Sequence, residues 1–194
     1  MNYYNVGQYI NELISHKGLS QSVVARDIKV PRQLLSCIIN GKREMSLQLA
    51  IKLESYFSLP EGELVKIQSM QAIQQRKLSI RNYLCEMLVK KNAFWSYDVK
   101  SFDDIPDEEL IEKCFTTLDI NDIDLMFEIF PRKRIRQVWL ERLAIQGEYM
   151  QMLNVMIAIY YFGIKKPEKY LTKVEKRQIN NLLKESLYET GINE

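Results

Sequence analysis

Ser20-Gln21-Ser22-Val23-Val24-Ala25-Arg26-Asp27-Ile28-Lys29-Val30-Pro31-Arg32-Gln33-Leu34-Leu35-Ser36-Cys37-Ile38-Ile39-Asn40-Gly41-Lys42 is the stretch whose pattern decides the fold. It reads as two short helices joined by a tight turn. Val24, Ala25 and Ile28 form the apolar side of the first, where the small Ala25 lets a partner helix cross closely, and Leu35 and Ile38 face inward from the second. Arg32, Gln33, Ser36 and Cys37 are left outward, at the i, i+1, i+4, i+5 spacing that gathers them on one helical face. Arg and Gln can each make two hydrogen bonds to a base edge in the major groove, so this face has the chemistry to read a duplex.

The same pattern extends on both sides. A helix from about Val6 to Lys17 turns Val6, Ile10, Leu13 and Ile14 inward and stops at Gly18. Ser20 is placed to cap the next helix through its hydroxyl, and the outward-facing helix begins near Pro31 or Arg32 and ends at Gly41. Ser46 caps a fourth helix whose Leu49, Ile51, Leu53, Tyr56 and Phe57 include the buried stripe. Pro60, Glu61 and Glu63 open a fifth, with Leu64, Ile67, Met70 and Ile73 on its apolar side. From Leu59 to about Lys91 little breaks the helix, and the polar middle, Gln68 to Arg81 with four Gln, predicts a connecting helix or two helices with a bend near Ser79.

Asn92 to Pro106, with Phe94, Trp95, Tyr97 and Phe102 among Asp and Lys, lacks regular alternation and predicts an irregular connection anchored by aromatics. Helices then resume: Asp107 to Leu118, Asn121 to Phe130 with a capping residue first, and Arg132 to Gln146 after Pro131. Met150 to Phe162 is apolar on nearly every side, which predicts a central buried helix. Gly163 and Pro167 end it, and Thr172 caps a last amphipathic helix bearing Ile179, Leu182, Leu183 and Leu187. The expected fold class is all-α, with residues 1–75 as one domain, 76–93 as a connecting helix and 94–194 as a second helical bundle.

Composition narrows the function classes. An apolar share of 46% over 194 residues is ample for a core. No apolar run reaches the roughly 18 residues that span a bilayer, and Met1-Asn2-Tyr3-Tyr4-Asn5 lacks the basic start of a signal peptide, so a cytoplasmic protein is expected. Cys37, Cys85 and Cys114 are far apart and odd in number, which favours free buried thiols over disulfides or a metal site. His16, the only histidine, has no partner at ligand spacing and reads as a surface residue. Met150, Met152 and Met156 with Tyr160 and Tyr161 read as core rather than as a ligand pocket. With no Gly-rich phosphate loop and no catalytic set, no cofactor and no enzymatic activity is expected.

Net charge is +2, but residues 1–91 carry 13 Lys/Arg against 7 Asp/Glu, while 92–128 carry 2 against 11 and 129–194 carry 12 against 7. The positive end holds the duplex-reading face, as phosphate contact requires. The basic cluster Arg132, Lys133, Arg134 and Arg136 is expected to answer the acidic block from within the molecule.

Leu19-Ser20-Gln21, Ala25, the run Arg32 to Lys42, Met45-Ser46 to Leu53, and Leu59-Pro60-Glu61 together resemble the lambda-repressor/Xre helix-turn-helix family, and within it the plasmid-maintenance antidote proteins, the HigA-type antitoxins. The resemblance implies a five-helix DNA-binding domain. It implies that Gln21, Arg32, Gln33, Ser36 and Cys37 lie in or beside the groove of double-stranded operator DNA, and that Asn40, Gly41, Lys42 and Arg43 meet the phosphates. Two positions depart from the family pattern: Lys29 stands where a turn-tolerant Gly is common, and Pro31 replaces the usual Ser or Thr cap. Phe94-Trp95, the acidic helix pair and the Phe130-Pro131-Arg132-Lys133-Arg134 helix resemble a helical domain of antitoxin-like regulators, some encoded beside nucleotidyltransferase toxins. The implied role is a homodimeric transcriptional repressor, the antitoxin of a toxin–antitoxin pair autoregulating its operon, with a cognate toxin as partner. The competing reading is a ligand-responsive regulator whose C-terminal domain senses a small molecule; a third is a scaffold that has lost DNA binding.

Overall fold

The structure is a computed structural model that describes residues 5–95 and 99–189, with side chains through residue 181. The expectation for Tyr97 lies outside the described residues, and those for the side chains of Leu182, Leu183 and Leu187 lie beyond the described side chains. Among the described residues every regular element is helical. The chain divides into two compact units, Met1–Leu78 and Ser79–Glu194.

The first unit holds α1 (Val6–His16), α2 (Gln21–Asp27), α3 (Arg32–Ile39), α4 (Leu47–Phe57) and the opening turns of α5 (Glu63–Lys90). Local chemistry sets most of these limits. The side chains of Asn5, Ser20 and Ser46 accept from the backbone N–H groups of Gly7, Val23 and Leu49, satisfying donors that the first helical turn leaves free. At the other ends the chain turns back through a left-handed residue: Gly18, Lys29, Gly41 and Ser58 close α1 to α4. After α2 the N–H of Lys29 donates to the carbonyl of Arg26 and that of Val30 to Ala25, the paired bonds that terminate a helix.

Val6, Ile10, Ile14, Val24, Ala25, Leu35, Ile38, Leu49, Leu53, Phe57 and Leu64 fill the core, with Leu13 and Ile67 packed at its edge. Three residues expected on inward stripes, Ile51, Met70 and Ile73, are instead exposed. They stand on the sides of α4 and α5 opposite Leu49, Leu53 and Leu64, where no described residue of this unit covers them.

In the second unit the later turns of α5 contribute Ile80, Leu84, Cys85 and Leu88 to a separate core. The helix runs through Ser79 without a break. After Asn92, whose left-handed backbone ends α5, Ala93 and Phe94 are buried while Trp95 is 79% exposed, so only part of the aromatic segment anchors the connection. A 3-10 turn over Phe102–Asp104 leads into α6 (Asp107–Thr117), α7 (Ile120–Ile129) and α8 (Arg132–Val138). The cap of α7 is Asp119, accepting from the N–H of Asp122, rather than Asn121.

The single helix expected from Arg132 to Gln146 is interrupted. A π-helical turn occupies Trp139–Leu143, with the N–H of Ala144 donating to the carbonyl of Trp139, and a 3-10 turn covers Gly147–Met150 before α9 (Gln151–Tyr160). Asn154 braces this break. Its carbonyl oxygen accepts from the indole N–H of the fully buried Trp139 at 2.8 Å, and its amide donates to the carbonyl of Leu143 at 2.9 Å. A widened turn leaves carbonyls unpartnered, and Asn154 takes one of them. The last helix, α10 (Pro167–Glu189), starts at its proline, where a missing N–H costs nothing. Thr172 is not its cap but donates from within it to the carbonyl of Glu168.

Arg134 pairs with Glu108, Arg142 pairs with Glu112 at 3.0 Å, and the guanidinium groups of Arg132 and Arg136 lie over the Phe162 ring. Of the C-terminal basic cluster, Arg134 meets an acid of the block in an ion pair, whereas Arg132 and Arg136 are held over an aromatic ring of the same unit. α9 is not the central buried helix that its composition suggested. Asn154, Ile157 and Ala158 are buried, but Met152 is 87% exposed and Ile159 54%.

Candidate nucleic-acid interface

The site is built on α3. Leu35 and Ile38 are buried on one side of it, and on the other Arg32 and Gln33 are exposed, with Ser36 and Cys37 half-buried and Asn40 exposed. A rotation of about 100° per residue places these five within one sector of the helix. Arg32 and Gln33 make no hydrogen bond or ion pair with another described residue, so both side chains are available to a ligand. Asn40 is partly committed: its amide donates to the carbonyl of Ser36 at 2.8 Å and approaches the Ser36 hydroxyl at 3.3 Å. Gln21 stands half-buried at the first position of α2, its amide nitrogen 3.4 Å from the Asn11 side-chain oxygen. Lys42 and Arg43 are exposed beyond Gly41, where the chain leaves α3.

Five long-range contacts hold this face, and none has a local sequence signature. Gly7 is the closest. A Cβ built there would lie 2.2 Å from the carbonyl oxygen of Ile39 and 2.7 Å from its carbon, so α1 and the end of α3 touch backbone to backbone. Lys52 donates to the carbonyl of Ile28 at 3.2 Å, and the Tyr56 hydroxyl donates to Asp27 at 3.0 Å; α4 thereby grips the end of α2 just before the turn. Partial desolvation, and after it that hydrogen bond, raises the Tyr56 phenol above its ordinary range. Gln68 clamps the segment that follows Lys42 and Arg43, accepting from the N–H of Met45 at 2.9 Å and donating to its carbonyl at 3.1 Å. Gln71 accepts from the N–H of Val6 at 3.1 Å. Gln68 and Gln71 of α5 are therefore structural here, although the polarity of the segment suggested a solvated connector.

The start of α5 is capped from a distance. The buried carboxylate of Glu54 accepts from the N–H groups of Gly62 and Leu64 at 3.0 and 2.8 Å. A negative group at a helix N-terminus is favoured by the free N–H donors and the helix dipole. One turn away, the Tyr9 phenol donates to Glu63; that bond, burial and the neighbouring carboxylate push its pKa up to about 12.

The two positions that depart from the resemblance are resolved locally. Lys29 adopts φ 57°, the left-handed conformation a glycine would take more cheaply. Pro31 occupies the capping position of α3 with an extended backbone and no side-chain acceptor. Its fixed φ of −60° sets the direction in which α3 departs.

Nucleophilic chemistry has no support at the cysteines of the second unit. Burial pushes the Cys85 thiol up to about 11 and raises Cys114 further, so neither is a thiolate near neutral pH. Among the described residues no group of His, Cys, Asp and Glu could hold a metal ion, and no helix is long and apolar enough to cross a membrane.

Residues 10–64 match the model of a family described as helix-turn-helix, a span running from α1 to the opening of α5. No curated protein and no solved structure matches the chain.

Proposed function

We propose that this chain, built around the helix-turn-helix of residues 10–64, is a sequence-specific transcriptional repressor with no enzymatic activity. In this reading α3 enters the major groove, Arg32 and Gln33 hydrogen-bond base edges, Ser36, Cys37 and Gln21 line the contact, and Asn40, Lys42 and Arg43 meet phosphates. The observation that carries it is the exposure of Arg32 and Gln33, without a partner among the described residues, on a helix fixed from behind by the backbone of α1. The resemblance of the first 75 residues to plasmid-maintenance antidotes supports a finer role, the antitoxin of a toxin–antitoxin pair that represses its own operon.

A single module reads a short half-site. Useful affinity then calls for two copies on a two-fold operator, with half-sites roughly 34 Å apart, one helical turn.

The test is a binding titration against the chain's own promoter and against random duplex at several salt concentrations. Gln33→Ala is expected to cost about 1–3 kcal/mol on the operator and far less on random duplex. Equal losses on both would reject base reading at that position. Lys42→Ala is expected to reduce the salt slope by about one ion, and an unchanged slope removes it from the interface.

A further inference from the structure

We propose that the outer face of α9 is the surface through which two copies of this chain pair. Met152, Val155, Met156, Ile159 and Tyr160 recur at the three- and four-residue spacing of one helix face, opposite the buried Asn154, Ile157 and Ala158. Met152 is 87% exposed, Ile159 54% and Tyr160 58%, and Tyr149 in the turn leading into α9 is 87% exposed. A helix apolar all round is a helix meant to be covered all round, yet among the described residues only one side of this one is covered, with Val155 and Met156 half-buried at its margin.

Two observations select a second copy as the occupant. Gln151–Tyr160 contains no charged residue, so two such faces meet without burying a charge, and an isologous two-fold contact requires a surface that complements itself. The exposed parts of Tyr149, Met152, Ile159 and Tyr160 amount to on the order of 600 Å², most of the roughly 800 Å² that each partner contributes to a stable interface. Aromatic and Met side chains are also the types enriched at such contacts. The pairing deepens the operator reading, which calls for two modules, but stands apart from it because it is measurable without DNA.

Sedimentation equilibrium of the full chain in DNA-free buffer tests this. The unaltered chain is expected to be dimeric with a dissociation constant in the micromolar range or tighter, and Met152→Gln to weaken pairing about tenfold. Chains carrying Met152→Glu with Ile159→Glu, or Met152→Lys with Ile159→Lys, are each expected to be monomeric with unchanged far-ultraviolet circular dichroism. Mixing the two is expected to restore a dimer through opposite charges, which misfolded chains could not do. An unaltered chain that stays monomeric up to about 100 µM, variants that pair as tightly as the parent, or a mixture that stays monomeric would each overturn the assignment. Arg32→Ala serves as a control: it removes the proposed DNA contact and leaves the dimer unchanged, so a failure of pairing and a failure of base reading are separate results.

Discussion

Replacing Gly7 by alanine tests whether the backbone contact between α1 and α3 holds the reading helix in place. In an exposed helix interior Gly→Ala stabilises by about 1 kcal/mol, because alanine loses less backbone freedom on folding. Here the sign should invert. The new methyl would stand 2.2 Å from the Ile39 carbonyl oxygen and 2.8 Å from that of Ile38, whereas ordinary contact begins at 3.4 Å, so the two helices must part by more than an ångström. The obstructing atoms are backbone and no rotamer change can move them aside. Overpacking of this kind costs about 1–3 kcal/mol, with the upper end appropriate to a rigid neighbour, and the helix-propensity gain returns about 1. The expected result is a net loss of about 1–2 kcal/mol by urea denaturation, with an unchanged slope on denaturant concentration. Operator affinity should fall as well, since a displaced α3 no longer presents two-bond contacts in register. Gln8→Ala, at the exposed neighbour, should be close to neutral. A Gly7→Ala chain that is as stable as the parent or more so would refute the reasoning, because propensity alone would then describe the site.

Substitutions at three further positions follow from the first unit. Lys29→Gly relieves a left-handed lysine and should stabilise by about 0.5–1 kcal/mol in the same assay; destabilisation would mean that the Lys29 side chain contributes more than its backbone strain costs. Glu54→Ala removes the acceptor of two N–H groups at the start of α5 and should cost about 2–4 kcal/mol, with Glu54→Gln intermediate; a neutral Glu54→Ala would show that water replaces the cap. Tyr9, held protonated to about pH 12 in the fold against about 10 in the unfolded chain, contributes stability that is fully present below pH 10 and is lost as pH rises from 10 toward 12. Tyr9→Phe should flatten the fall of unfolding free energy across that window, and an unaltered slope would remove the Tyr9–Glu63 bond from the account.

Much of the architecture is written in local chemistry. Ser20 and Ser46 announce their helices because a hydroxyl three residues before a free N–H is a short-range geometry, and Gly18 and Gly41 end theirs because only the left-handed backbone beside them matters. The outward set on α3 is legible for the same reason, as helical spacing alone sorts Arg32 and Gln33 from Leu35 and Ile38. The pairing of Arg134 with Glu108 was suggested by charge blocks that lie close in the chain; that of Arg142 with Glu112 was not.

What only the tertiary structure decided are the contacts between residues far apart in the chain. Gly7 against Ile39, Gln68 on Met45 and Lys52 on Ile28 become visible once the helices are assembled, since each residue taken alone is an unremarkable helix member. The break at Trp139–Leu143 is braced by Asn154, eleven residues beyond Leu143, and no pattern within the segment encodes that contact. The open side of α9 was hidden for the same cause. Apolarity dictates that a face be covered, but which partner covers it is a property of packing, a matter of three-dimensional neighbours rather than of sequence period.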